Sequence, residues 1–571
     1  MNELNFLQLK KAAKKVETAP ELKIILMGDC ATQHLATAIR GCFAVNNIGA
    51  QVVDVDYNLI DAQVLDEQSE LYEENPDFVL LFMCSEKLEE AFSICAEKTA
   101  FAEQMCKKIR GYWERINTQL KANILQFTFV ERENYVFGNY SLKTQESFLF
   151  QVKKLNYLLA AETQSVKNAF LIDLNNIRAE IGEKHFKDEK LYYAAKMPVT
   201  TEALPLVAKS VFTTVMAIRG RVKKCVICDL DNTLWGGVIG DDGLSGIQIG
   251  ELGVGHAFED LQRWLKNLKE RGIILCICSK NNEEAAREPF EKHPEMILRL
   301  EDISVFVANW DDKASNIVNI QKTLNIGMDS IVFLDDNPFE RNLVRSIVPD
   351  ITVPELPEDP SEYLTYLQSL NLFETASFSE GDKNRTEQYQ SEMKRLNAEK
   401  SFTSYDDYLI SLEMIAETKP FDEFQTPRIA QLTQRSNQFN LRTVRCTEKD
   451  IADFASNPDY ITRYFMLRDK FGDHGLISVL LLKKQDSHTL FIENWLMSCR
   501  VLKRGMEEYI INSIVSIAKE YGFDTIVGEY LPTAKNSMVS DIYAMHGFES
   551  VGEGKFILKV NQYEAQKTFI N

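Results

Sequence analysis

The sequence predicts a chain that is α/β throughout and built in three parts. Three observations carry this. Short apolar runs ending in polar turns recur from residue 22 to about 334, the pattern of buried parallel strands alternating with helices. An acidic, proline-bearing stretch at 355–360 then interrupts the pattern, as a linker would. Beyond Phe402 the chain changes to longer strand patterns joined by Gly-Asp turns. The expected boundaries are 1–198 for a first α/β domain, 199–220 for a helical connection and 221–355 for a central core. A helical linker follows at 356–401 and a last domain at 402–571. A chain of 571 residues has room for three cores of ordinary size.

Composition excludes some classes of function. Apolar residues make up 45% and charged residues 26%, as in a globular protein. The net charge of −20 argues against a nucleic-acid partner. An acidic carrier protein would need a local basic patch, which the overall charge does not reveal. The opening residues lack the apolar centre of a signal peptide, and no apolar run is long enough to span a bilayer, so no membrane insertion is expected. Eleven cysteines, an odd number without a disulfide rhythm, point to reduced thiols and a cytoplasmic setting. Cys225-x-x-Cys228 and Cys276-x-Cys278 lie inside strand patterns and read as core.

In the first part, a short amphipathic helix over Leu7 to Val16 precedes the strand Leu22–Met27. That strand ends in the turn Gly28-Asp29-Cys30 before a helix. Further βα patterns near Gln51–Tyr57, Pro76–Met83, Ala122–Phe129 and Ala169–Asp173 suggest a flavodoxin-like domain. The Gly-Asp-Cys block resembles the opening of SGNH-type hydrolases, with Cys30 at their serine position. At a helix N-terminus the Cys30 thiolate would be stabilised and could carry a thioester; the other reading is a buried thiol in a docking domain. Leu191 stands where the Asp-x-x-His of SGNH enzymes has its histidine, which speaks against a hydrolase.

The central part is organised around Cys225-Val226-Ile227-Cys228-Asp229-Leu230-Asp231-Asn232-Thr233-Leu234-Trp235. An apolar run breaks into Asp-x-Asp-x-Thr, so the acids sit at the carboxyl end of a strand, where open α/β sheets bind ligands. Asp229 can hold a divalent cation and attack phosphorus; Asp231 can act as general acid and base. A second strand, Ile273–Cys278, ends in Ser279, a hydroxyl for a phosphoryl oxygen. Lys313 opens a helical pattern and offers a cation for developing negative charge. A third strand, Ile331–Leu334, ends in Asp335 and Asp336, which with Asp229 and Asp231 form the expected Mg²⁺ ligands. Between Asp231 and Ser279 there is only a glycine-rich flap, 236–250, and one helix, 256–271, so no large cap covers the site.

This order of motifs resembles the haloacid dehalogenase (HAD) superfamily. The wording Asp-Leu-Asp-Asn-Thr-Leu-Trp-Gly-Gly-Val-Ile-Gly-Asp-Asp-Gly, with Phe-Leu-Asp-Asp-Asn-Pro-Phe-Glu-Arg, is similar to the FkbH-like branch of subfamily IIIC. The resemblance implies Asp229 as nucleophile, Asp231 as acid/base, and Ser279 and Lys313 as holders of the phosphoryl group. It further implies glyceryl transfer from 1,3-bisphosphoglycerate to a carrier-protein thiol. A phosphorylated small molecule would be the substrate and an acyl carrier protein a partner.

The charged run 380–399 reads as a helix with Arg385 and Tyr389 on one solvated face. In the last part, an amphipathic helix over 428–440 ends in the amide-rich Asn437-Gln438-Phe439-Asn440. Strands follow around Gly472-Asp473-His474-Gly475 and over 490–498. The turn Arg500-Val501-Leu502-Lys503-Arg504-Gly505 resembles the pyrophosphate turn of GNAT acyltransferases, with Lys503 where those have a glycine. The resemblance implies CoA or phosphopantetheine as co-substrate, held by Arg500, Lys503, Arg504 and Gly505 with Asn536 and Tyr543. Cys499 rivals Cys30 as acyl carrier, or is a core thiol. His474 is either a base or a hydrogen-bonded loop residue. Two other readings remain open: a phosphatase with inert flanking domains, and an acyl-CoA-dependent transferase or scaffold.

Overall fold

The computed structural model describes residues 4–15, 19–132, 134–378, 391, 395, 402, 404–498 and 501–571. Cys499, Arg500, Arg385, Tyr389 and Val16 lie outside the described residues. The chain divides into two compact units, Met1–Val215 and Met216–Asn571. Among the described residues no helix is long and apolar enough to cross a membrane.

In the first unit, β1 (Leu22–Gly28), β2 (Ala50–Asp54), β3 (Phe78–Phe82), β4 (Asn123–Phe127) and β5 (Ala169–Ile172) form one parallel sheet in the order β2-β1-β3-β4-β5. This is the flavodoxin-like order. Central β3 is Phe-Val-Leu-Leu-Phe and buried at every residue, because helices cover both faces of the sheet. Trp113, Val152 and Leu155 come from those helices and pack on Val79 and Leu81.

The second unit holds two sheets. In the first of them, β6 (Cys225–Cys228), β7 (Ile274–Ser279), β8 (Val305–Ala308) and β9 (Ile331–Leu334) are parallel, in the order β8-β7-β6-β9. Cys228 pairs with Leu334 on one side and Ile277 on the other. Asp229 and Asp335 therefore leave adjacent strands at the same level, and Ser279 stands one residue further along β7. The cysteines of β6 and β7 are buried among aliphatic side chains, as a small hydrophobe would be.

The stretch after residue 355 differs from the linker its composition suggests. Leu356, Tyr363, Leu367 and Phe373 are buried in the same core as Phe258 and Leu265. Apolar residues at 363, 367 and 370 form one face of the short helix Tyr363–Ser369 and its end, and that face seals it to the sheet layer.

The third sheet is largely antiparallel: β10 (Ile415–Lys419), β11 (Tyr460–Asp469), β12 (Gly472–Lys484), β13 (Thr489–Met497), β14 (Thr525–Glu529), β15 (Glu549–Gly552) and β16 (Lys555–Lys559), ordered β10-β11-β12-β13-β14-β16-β15. Only β13 and β14 run parallel, and they pair over just three residues, Thr489–Phe491 with Thr525–Val527. The rest of β13 diverges from β14, and the helix Met506–Tyr521 follows. An opened parallel pair followed by a helix is the GNAT-like arrangement.

Candidate active site at the carboxyl edge of β6, β7 and β9

Asp229, the residue after β6, keeps the ladder going: its N–H donates to the Leu334 carbonyl at 2.9 Å. Its carboxylate meets those of Asp335 and Asp336, and one oxygen from each lies within 4.8 Å of the others. The Lys313 ammonium donates to Asp229 Oδ2 at 2.7 Å and Asp335 Oδ2 at 2.6 Å. Lys313 is the first residue of the helix Lys313–Leu324, whose start is fixed by Asp312 accepting from Ser315 N–H. Burial alone would lower the Lys313 pKa, but the two carboxylates reverse this and hold it above its ordinary range. Burial, then Asp229, pushes Asp335 up to about 7 and also raises Asp336. The second oxygen, Asp229 Oδ1, is buried and accepts no hydrogen bond. A buried carboxylate oxygen without a donor, beside two more carboxylates, suits a hard divalent cation.

Asp231 departs from the expected ligand set. Its carboxylate stands outside that trio, accepting from Trp235 Nε1 and Ile239 N–H at 3.0 Å each and from Asn281 Nδ2 at 2.8 Å. The left-handed Asn232 (φ 54°) turns the chain at this point, and its Oδ1 caps Gly237 N–H. Burial raises the Asp231 pKa against these three donors, as suits a group that must carry a proton. Ser279 is buried at the end of β7, on the same edge.

Several working parts escaped the sequence reading. Trp235 and Asn281 orient Asp231. Thr233 Oγ1 accepts from Asp336 N–H at 3.1 Å. Arg341 donates to the carbonyls of Asp335 (2.8 Å) and Asp336 (2.6 Å) and so fixes the acidic turn. Tyr363 reaches the Asn232 carbonyl at 3.3 Å from beyond the expected domain boundary. Trp235, Thr233, Asn281 and Arg341 all lie in or beside the motifs; their roles depend on where the side chains point.

Comparison with known proteins places this geometry. A crystal structure of the N-terminal part of BF1531 from Bacteroides fragilis, containing a phosphatase domain complexed with Mg, is 46% identical. It covers 66% of this chain and 100% of its own, with a TM-score of 0.63. The family FkbH, N-terminal domain, matches residues 23–216. The chain belongs to the FkbH-like family. Among curated proteins none matches. The ribosomal-protein-S18-alanine N-acetyltransferase from Escherichia coli aligns with 27% of this chain and 97% of its own at 14% identity, TM-score 0.21. The GNAT domain of S. lividans PAT covers 25% and 90% at 16% identity, TM-score 0.20.

Away from the acidic edge, this FkbH-like protein corrects several expectations. Cys30 is buried, with its Sγ 3.8 Å from the Phe82 carbonyl. Burial first, then Cys84 and the acids Asp29 and Glu86, push its thiol well above the ordinary range. The thiol is enclosed before the helix Gln33–Val45 begins, and the thiolate expected there is disfavoured.

The expected CoA site also differs. The opening between β13 and β14 is filled by the chain itself: Met497 N–H donates to Phe439 O, Leu441 N–H to Trp495 O, and Leu531 N–H to Leu441 O. Asn536 clamps that filling. Its Nδ2 donates to the carbonyls of Asn440 and Leu531, and its Oδ1 accepts from Thr533 N–H. Arg504 is buried and points at His474 (3.3 Å) and Asp469 rather than at a pyrophosphate position. Lys503 and Gly505 adopt left-handed conformations (φ 63° and 83°). The Lys503 N–H donates to Glu507, and its carbonyl accepts from Tyr405.

Tyr543 is a core ring among Trp495, Phe548 and Phe556, with its hydroxyl pKa raised by burial. A Cβ on Gly528 would stand 2.4 Å from this ring. Gly528→Ala is therefore expected to destabilise the protein by about 1–3 kcal/mol, as overpacking does. A denaturant midpoint unchanged from wild type would refute this contact.

Proposed function

We propose that this protein is a Mg²⁺-dependent phosphatase of HAD type acting on a phosphorylated small acid. The observation that carries this is the trio Asp229, Asp335 and Asp336 around a buried, donorless Asp229 Oδ1, with Lys313 across it. Asp229, Asp335 and Asp336 would hold the metal, which supplies a Lewis acid for the phosphoryl oxygens. Asp229 attacks phosphorus while Asp231 protonates the leaving oxygen, then takes a proton from the water that releases phosphate. Lys313 and Ser279 steady the charge on the phosphoryl group. The Mg-bound phosphatase domain of the Bacteroides fragilis relative supports the metal and the reaction class.

A finer reading rests on the family resemblance. The substrate class is a glyceryl acyl phosphate such as 1,3-bisphosphoglycerate, and the acyl group passes to an acyl-carrier-protein or CoA thiol in a cytoplasmic biosynthetic pathway. The ten described cysteines are all free thiols, in keeping with that setting. Transfer and hydrolysis break different bonds. Attack by Asp229 breaks P–O and leaves the acid free. Attack by a thiolate at the carbonyl carbon breaks C–O and expels phosphate intact.

Reaction in ¹⁸O water separates the two. Phosphate released through Asp229 gains one labelled oxygen, whereas phosphate expelled by a thiol gains none. Labelled phosphate from acyl phosphates, with or without pantetheine or carrier protein, is the expected result for the phosphatase. Unlabelled phosphate whose release rises with the thiol would establish transfer. No Mg²⁺-dependent release from any acyl or sugar phosphate would overturn both.

A further inference from the structure

Opposite the Asp229 edge, a cleft of about 250 Å³ opens at the amino ends of the same strands. Lys224, Ile274 and Ser330, which precede or begin β6, β7 and β9, line one side. The other side is the helix Thr426–Arg435 and the turn after it, including Asn437 and Gln438 of the amide-rich motif. Four cations line the cleft, Lys224, Arg428, Arg435 and Lys535, against one carboxylate, Asp329. In a chain of net charge −20 this is a local reversal of sign.

The positive character extends behind the wall. Arg445 donates to Asn437 Oδ1 at 2.6 Å, and its pKa falls to about 10 through burial and the neighbouring Arg219 and Arg221. Asp329 is held below its ordinary range: burial opposes this, but Lys535, Lys223 and Lys224 outweigh it. Its charge is thus already answered by several cations. The lining carries guanidinium, ammonium, amide and hydroxyl groups, the donor types that recognise phosphate oxygens; Lys535 also pairs with Asp329, and Lys224 with the Arg435 carbonyl. Leu432, Phe439 and Met497 add apolar wall, suited to an organic group attached to the anion. The four-residue strand β6 separates this cleft from Asp229 by roughly 13 Å, too far for one phosphate to touch both.

We propose that this cleft is a second ligand site that binds the phosphate group of an organic phosphate. It is distinct from the Asp229 centre and does not depend on the phosphatase reading. The recognised chemistry is the phosphate; its source is either a phosphate ester such as 4′-phosphopantetheine or inorganic phosphate.

Titration calorimetry of the full chain tests this with 4′-phosphopantetheine, pantetheine and inorganic phosphate. Wild type is compared with Arg428→Gln/Arg435→Gln, Lys535→Gln and Asp229→Asn. The expected result is saturable one-to-one binding of phosphopantetheine, weakened about tenfold or more by the double arginine change and unaltered by Asp229→Asn. Pantetheine without phosphate should bind far more weakly. Tighter binding of inorganic phosphate than of the ester, with the same arginine dependence, would keep the site and name free phosphate as its source. No saturable binding of either phosphate, or binding that Asp229→Asn removes and the arginine change leaves intact, would overturn the proposal. If the double variant does not fold, Lys535→Gln decides. That side chain is about half exposed, and binding unchanged in this variant would count against the site.

Discussion

Asp229→Asn is expected to lower Mg²⁺-dependent phosphate release by roughly a thousandfold or more, the scale of losing a nucleophile, while the protein stays folded. The amide keeps the shape of the side chain but neither attacks phosphorus nor offers a charged oxygen to the metal. Lys313 retains Asp335 Oδ2 at 2.6 Å, so the buried ammonium is not left without a carboxylate. Asp335 loses a neighbouring charge that helps push its pKa up. These two changes oppose one another, and the melting temperature should move little in the absence of metal. Mg²⁺ should raise the melting temperature of wild type and do so less for the variant, because a ligand that binds only the folded state stabilises it according to its affinity. A collapse of activity with an intact fold identifies a reacting group; a parallel loss of both would mark a structural acid. Release equal to wild type would remove Asp229 from the chemistry.

The acidic edge was legible because parallel strands buried on both faces read as unbroken apolar runs. The polar residue that ends each run, Asp229, Ser279 or Asp335, is therefore placed by sequence alone. Lys313 was legible as the residue that opens a helical pattern. Side-chain direction was not. Asp231 lies two residues from Asp229, and only the positions of Trp235, the Ile239 amide and Asn281 show that its carboxylate leaves the metal trio. Cys30 has the right place in its strand–turn–helix, but its burial depends on Phe82 and Cys84, more than fifty residues away. Asn536 carries the amide a ligand site would use and spends it on its own loop and Asn440. The basic cleft is invisible for a different reason: its cations come from residues 224, 428, 435 and 535, and an acidic composition hides them.

Asp469→Ala is expected to cost about 3–5 kcal/mol of stability, the scale of breaking a buried ion pair, and to lower the melting temperature on the order of 10 °C. The Asp469 side chain is buried at the end of β11, although the residue as a whole is only half-buried. Arg395 grips it with both arms, Nε to Oδ2 at 2.6 Å and Nη2 to Oδ1 at 2.7 Å. His474 Nε2 lies 3.1 Å from Oδ2, and the N–H groups of Phe471 and Gly472 donate to Oδ1. Arg504 Nη1 stands 3.9 Å away, so the same carboxylate ties the turn before the helix Met506–Tyr521 to the β11–β12 hairpin. Alanine removes a carboxylate that two buried guanidiniums and an imidazole face.

The pH dependence has a defined sign. Burial would raise the Asp469 pKa, but His474 and Arg395 hold it well below the carboxylate range. A depressed acid stabilises the fold above its unfolded pKa, near 4, and that contribution is lost as pH falls below it. Burial, with Arg395 and Arg504, also lowers the His474 pKa against Asp469. The unfolded chain then takes up the histidine proton first, and stability begins to fall below about pH 6.5. The stability difference between wild type and Asp469→Ala should therefore narrow as pH falls below about 4, where the Asp469 contribution is lost. An identical acid limb in the two proteins would show that Asp469 does not hold this turn electrostatically, and the buried cluster would then be packing alone.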